Sequence, residues 1–105
     1  MPSGKDLSRL DRSSAFVDEL EGCVAAFVAN GISARDVYLW LAARVDAHEN
    51  LASSADRRLA DETWIRVIEV QDGHRSERSA RTLLRRALEA RRLAAAATHA
   101  EAPSG

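Results

Sequence analysis

Apolar residues return every three or four positions over four stretches of this chain, and each stretch is closed by polar or glycine-containing residues. Phe16, Leu20, Cys23, Val24 and Phe27 fall at i, i+4, i+7, i+8 and i+11, which is one face of a helix. Asp11, Ser13 or Ser14 suits its N-cap, and Asp18, Glu19 and Glu21 place negative charge in its first half. Asn30-Gly31 ends it, with Gly31 suited to the left-handed position just past a helix. Gly22 inside it costs about 1 kcal/mol relative to alanine, a cost that a close helix crossing would explain.

Ser33-Ala34-Arg35-Asp36 opens a second helix with the spacing of a capping box, Asp36 standing where Glu or Gln is usual. Its apolar stripe is Val37, Trp40, Leu41 and Val45, with Tyr38 at the edge. Arg44 and His48 lie i, i+4 within that stripe. They are either a partly buried pair satisfied by a neighbouring acid or the chain end, or residues of a subunit interface. Leu39 points away from the stripe and offers a second contact surface. After a connection over 49–54, in which Ser53 or Ser54 caps the next element, residues 55–71 carry mixed signals. Thr63, Ile65, Val67, Ile68 and Val70 favour strand. Ala60, Trp64, Val67, Ile68 and Gln71 share one helical face, and a strand would have no partner in the chain unless a second copy supplied one. The reading is therefore helix, ended by Asp72-Gly73. Ser76 caps a last helix whose apolar face is Ala80, Leu83, Leu84, Ala87 and Leu88.

These patterns predict an all-α fold, a small bundle of four helices near 12–29, 33–49, 55–71 and 76–95. Residues 11–95 form a single domain, flanked by flexible tails over 1–10 and 96–105. With 105 residues, 46% hydrophobic content rich in alanine and only 5% aromatics, the core is built from small side chains. A homodimer would be a natural way to complete it.

The net charge is −1, but residues 1–62 hold 7 basic against 11 acidic residues, a net −4, whereas 63–105 hold 8 against 5, a net +3. Arginine rather than lysine supplies almost all the cations, a usage typical of a GC-rich bacterial genome or an element carried by one. A single cysteine excludes an internal disulfide and fits a reducing cytoplasm. No apolar run reaches 18 residues, and the N-terminus lacks the apolar stretch of a signal peptide, so the expected location is cytoplasmic, away from membranes. Catalysis is not expected. His48, His74 and His99 are scattered without metal-ligand spacing, Cys23 sits on an apolar face, and no glycine-rich phosphate loop is present. Neither a metal nor a cofactor is expected.

The chemistry that does stand out runs from His74 to Leu93. Seven arginines (75, 78, 81, 85, 86, 91 and 92) face two acids, Glu77 and Glu89, leaving +5 within the segment. At 100° per residue, Arg78, Arg81, Arg85 and Arg92 form one stripe opposite the leucines. Arg75, Ser76 and His74 lie at the helix N-terminus, where backbone N–H groups attract anions. Glu77–Arg81 is an i, i+4 pair of favourable order. An ordinary solvated, salt-bridged helix face would carry the same residues.

The stretch Val28-Ala29-Asn30-Gly31-Ile32-Ser33, followed by Val37-Tyr38 and Trp40-Leu41, resembles the turn of bacterial helix-turn-helix proteins. Phe27 stands where that superfamily usually has a small alanine. Asp72-Gly73-His74-Arg75-Ser76 and the helix after it resemble the same motif with better DNA-contacting side chains, but Ser79 and Thr82 occupy positions the motif keeps apolar. The resemblance implies a DNA-binding three-helix core. Together with the arginine stripe, it leads to the expectation of a small, dimeric DNA-binding transcriptional regulator of bacterial or mobile-element origin. Arg75, Arg78, Arg81, Arg85, Arg92 and Ser76 would contact phosphates and bases. The alternative is a helical protein-interaction module, such as an antitoxin, an adaptor or a phage-type inhibitor, docking on an acidic partner, with Leu39, Arg44 and His48 at an interface.

Overall fold

Helix-forming residues carry the first element further toward the N-terminus than its apolar face alone indicates, because no proline or glycine lies between Lys5 and Ala15. In the computed structural model the described backbone covers residues 3–51 and 53–101, and the described side chains 15–51 and 53–97. The chain is all-helical over the described residues: α1 (Ser3–Val28), α2 (Ala34–Ala42), α3 (Val45–Glu49), α4 (Ser54–Gln71) and α5 (Glu77–Glu101). The first and last helices run into stretches read as tails, and residues 1–2 and 102–105 of those tails lie outside the described residues.

Five helices replace the four expected, because the second one breaks at Ala43–Arg44 without any proline or glycine. The Arg44 side chain donates from Nη1 to the Trp40 carbonyl at 2.9 Å, the acceptor its own backbone N–H would use in a continuous helix. That N–H turns instead to the Leu41 carbonyl, also at 2.9 Å, and Arg44 takes φ −125° and ψ 31°. The short α3 then folds back so that Leu51 is buried. Arg57 holds the return, donating to the Leu51 and Glu49 carbonyls.

Helix ends follow local chemistry. Ser33 and Asp36 form the capping box, with Ser33 N–H donating to Asp36 Oδ2 at 3.1 Å and Asp36 N–H to Ser33 Oγ at 3.2 Å. These bonds hold the Asp36 carboxyl below its ordinary value. Ser53 caps α4, and Ser76 Oγ accepts from the Ser79 N–H at the start of α5. At the end of α1 the left-handed residue is Asn30, φ 66°, and not Gly31. Gly31 N–H bonds to the Ala26 carbonyl at 2.7 Å and Asn30 N–H to that of Phe27, the paired bonds of a Schellman ending. Gly31 is needed one position later than expected, since a Cβ there would sit 3.2 Å from the Ala26 oxygen. Gly73, φ 78°, closes α4 with the same pair of bonds.

The core joins Leu20, Val24 and Phe27 of α1 to Val37 and Leu41 of α2, Leu59 and Val67 of α4, and Ala80, Leu84 and Leu88 of α5. The face of α4 is rotated from the one expected. Leu59, Ala60, Thr63 and Val67 are buried, Trp64 and Ile68 are half-buried, and Gln71 is exposed. Thr63 fits the apolar side by bonding its hydroxyl to the Leu59 carbonyl at 2.7 Å. Four aromatic residues pair off at the rim, Phe16 on Trp40 and Tyr38 on Trp64, with centroids 5.5 and 5.4 Å apart.

No helix crosses at Gly22. The position is exposed, and an added Cβ would meet nothing within 4 Å. Gly22→Ala should therefore stabilise the fold by about 0.5–1 kcal/mol, read as a higher urea midpoint at unchanged slope.

Candidate interaction surface

α5 lies antiparallel to both α1 and α4, and its arginines meet the acids those helices carry. Arg91 is 17% exposed; its Nη1 approaches Glu21 Oε2 at 2.5 Å and its Nε approaches Asp56 Oδ1 at 2.9 Å, joining three helices. Arg92 shares Glu21, at 3.2 Å. At the other end Arg75 Nε donates to Glu69 Oε1 at 2.7 Å and its Nη1 to Ser79 Oγ at 2.8 Å. Glu69 also accepts from Arg66, which in turn binds Glu62 at 2.6 Å. With Arg75 and Arg66 both donating to it, the Glu69 carboxyl is held down at about 2.

The pair Glu77–Arg81 forms, at 2.5 Å, and does more than support its own helix. Glu77 Oε2 accepts from the Ala34 N–H, an orphan donor at the start of α2. Arg81 Nε donates to the Phe27 carbonyl in the last turn of α1 at 3.0 Å, and its guanidinium lies 5.0 Å from the Phe27 ring. One ion pair of α5 thus fastens both sides of the α1–α2 turn.

The stripe expected to be a free cationic surface is accordingly divided. Arg81 is turned into the fold, Arg75 is bound by Glu69, and Arg92 shares Glu21 while remaining 54% exposed on its side chain. Ser76 spends its hydroxyl oxygen on the helix cap, and His74 is exposed. Arg78 and Arg85 are exposed with no ion pair among the described residues. The surplus of +5 counted within the segment was a local sum, and acids from α1 and α4 remove much of it.

Arg44 and His48 each find an acid within the chain. Arg44 stacks 4.4 Å from the Trp40 centroid with Glu19 at 3.9 Å, and His48 Nε2 lies 2.6 Å from Asp61 Oδ1. Leu39 is exposed at 51%, beside Val45 at 43%. Cys23 is half-buried, and desolvation pushes its thiol up, away from thiolate chemistry. Among the described residues no cluster of His, Cys, Asp or Glu is arranged to hold a metal ion, and no helix is long and apolar enough to cross a membrane.

A feature that periodicity alone did not isolate lies between α4 and α5. Leu83 and Ala87, counted with the core face, are only half-buried and with Ala55, Leu59 and Ala90 line an open apolar groove of about 310 Å³. Arg58 on one wall and Arg86 on the other are exposed and have no partner among the described residues. Glu62 and Arg91 also line it, but both are paired within the fold. Compared with protein-family models, with curated proteins and with solved structures, the chain matches none of them.

Sorting the arginines into bound and free has measurable consequences. Arg91→Ala leaves the partly buried Asp56 carboxylate without its cation and Glu21 with Arg92 alone, and should cost about 1–3 kcal/mol, whereas Arg85→Ala should stay within about 0.5 kcal/mol. Urea unfolding of the two variants measures the contrast. For Glu69 the folded-state value lies below the ordinary 4.5, so its contribution is full above that pH and is lost as pH falls from 4.5 toward 2. The stability difference between the native chain and Glu69→Gln, followed by circular dichroism, should shrink over that window.

Proposed function

We propose that this chain is a small helical protein-interaction module that docks on an acidic partner through α4 and α5. The observation that carries this reading is the apolar groove flanked by the unpaired cations Arg58 and Arg86. Apolar surface between two cationic rims suits a partner that buries side chains and presents carboxylates. Leu39 on α2, Val45 on α3, Ile65 on α4 and Leu93 on α5 are exposed apolar side chains outside the groove, and a homodimer that avoids the cationic rims would use surface of this kind.

A second reading, DNA binding in the service of transcriptional regulation, has its own support. Arg78, Thr82 and Arg85 lie on the solvent face of α5, with Arg78 and Arg85 two turns apart. Magnitude favours the first reading. A protein that neutralises six to ten phosphates shows a correspondingly steep salt dependence, and on α5 the exposed arginines Arg78, Arg85 and Arg86, unpaired among the described residues, with the shared Arg92 supply a slope of only about 3–4. The helix after the better turn motif is no stronger, since the exposed residues of α2 are Arg35, Asp36, Leu39 and Ala42.

A gel shift with random duplex DNA over a salt series separates the two. The interaction reading expects no retained DNA at about 150 mM salt and a log–log slope of at most about 4. Retention at that salt with a slope of about 6 or more, reduced by about 1 in Arg78→Ala, would establish DNA binding instead.

A further inference from the structure

We infer that the α4–α5 groove is a seat for one helix of a partner protein, amphipathic and acidic along the flanks of its apolar face. This inference rests on the protein-interaction reading and names the chemistry of the partner. The first argument is spacing. On α5 the lining residues 83, 87, 90 and 94 recur at intervals of four, three and four, and on α4 the lining residues 55, 59 and 62 recur at four and three. Both walls therefore present the seam with which helices pack side by side, and they leave the place of a third helix open.

The second argument is size. From Leu83 to Ala94 the groove follows about 16 Å of α5, which matches some three turns of a docked helix. Its floor is mostly alanine beside Leu59 and Leu83, so the bulky side chains must come from the occupant. Leucine, isoleucine, methionine or phenylalanine at i, i+3 or i+4 and i+7 would fill it. A volume of about 310 Å³ sits at the small end of the clefts that take ligands, enough for a few anchoring side chains and too little for a globular insert.

The third argument is charge, and it selects among occupants. The other charged residues that line the groove, Glu62 and Arg91, are committed to Arg66 and to Glu21 with Asp56. Arg58 and Arg86, on opposite walls, have no partner among the described residues. A second copy seated on the same groove by a two-fold axis would bring these arginines toward their own equivalents, so like charges oppose self-pairing. A helix carrying glutamate or aspartate on both flanks of its apolar stripe meets both cations at once. Nucleic acid would be drawn by the same two arginines but has nothing to place on the apolar floor.

The test uses the full chain, isotopically labelled, and two synthetic helical peptides with leucines at i, i+3, i+4 and i+7. One peptide carries glutamates along the flanks and the other lysines at the same positions. The glutamate peptide should bind at least about tenfold tighter, read by fluorescence polarisation, with amide shifts centred on Ala55, Ala87 and Ala90. Arg58→Glu with Arg86→Glu should reverse the preference. Ala90→Trp, at an exposed position that leaves the core intact, should block both peptides while circular dichroism and melting stay unchanged. Equal affinity for the two peptides, no binding of either at millimolar concentration, binding that survives Ala90→Trp, or shifts centred elsewhere would each overturn the proposal. If both peptides fail in this way while a captured protein partner depends on Arg58 and Arg86, the interaction reading stands and only the helix seat falls. If duplex DNA binds as described above, that reading falls as well.

Discussion

α5 is fastened to the rest of the molecule by charge at both ends of its packed length, and the arrangement of the other helices depends on it. Near its start, Glu77 and Arg81 reach the N–H of Ala34 and the carbonyl of Phe27, so a single ion pair satisfies the open end of α2 and the closing end of α1. Near its other end Arg91 draws Glu21 and Asp56 together. Between these points Ala80, Leu84 and Leu88 are buried against the core. The core is mostly leucine, valine and phenylalanine and not the alanine-rich one that composition suggests. A chain of this length still has limited apolar area to bury, so half-buried, multiply bonded ion pairs matter more here than exposed ones, whose contribution is usually below about 1 kcal/mol.

The same accounting separates structural from available charge. An arginine-rich helix looks like an anion-binding surface when its neighbours along the chain are the only acids considered. Once α1 and α4 are packed beside it, Arg75, Arg81, Arg91 and Arg92 have partners, and Arg78, Arg85 and Arg86 have none among the described residues. Of these, Arg86 lines the apolar groove opposite Arg58, whereas Arg78 and Arg85 lie on the solvent face of α5.

Element positions were legible where the chemistry was local. The Ser33–Asp36 box, the Ser53 and Ser76 caps and the Gly73 ending all depend on residues within six positions of one another. The break at Arg44 was not legible, because a side chain taking its own helix's carbonyl leaves no compositional mark. Neither was the left-handed Asn30 ahead of Gly31, since both residues suit that position and only the approach of Gly31 to the Ala26 oxygen decides. The groove escaped notice for a related reason. Leu83 and Ala87 share the periodicity of the buried residues, and periodicity does not say where a neighbouring helix stops covering a face.

By itself, then, the order of residues determined an all-helical chain, most of its caps and breaks, the core faces of α1 and α5, and the concentration of arginine in the last helix. These follow from 3.6-residue periodicity and from hydrogen bonds that close within a turn or two. Only the tertiary structure decided the rotation of α4 and which arginines are bound and which are free. Those outcomes turn on partners as far as 71 residues away, Arg92 with Glu21 being the longest reach, and such contacts exist only once the helices have packed.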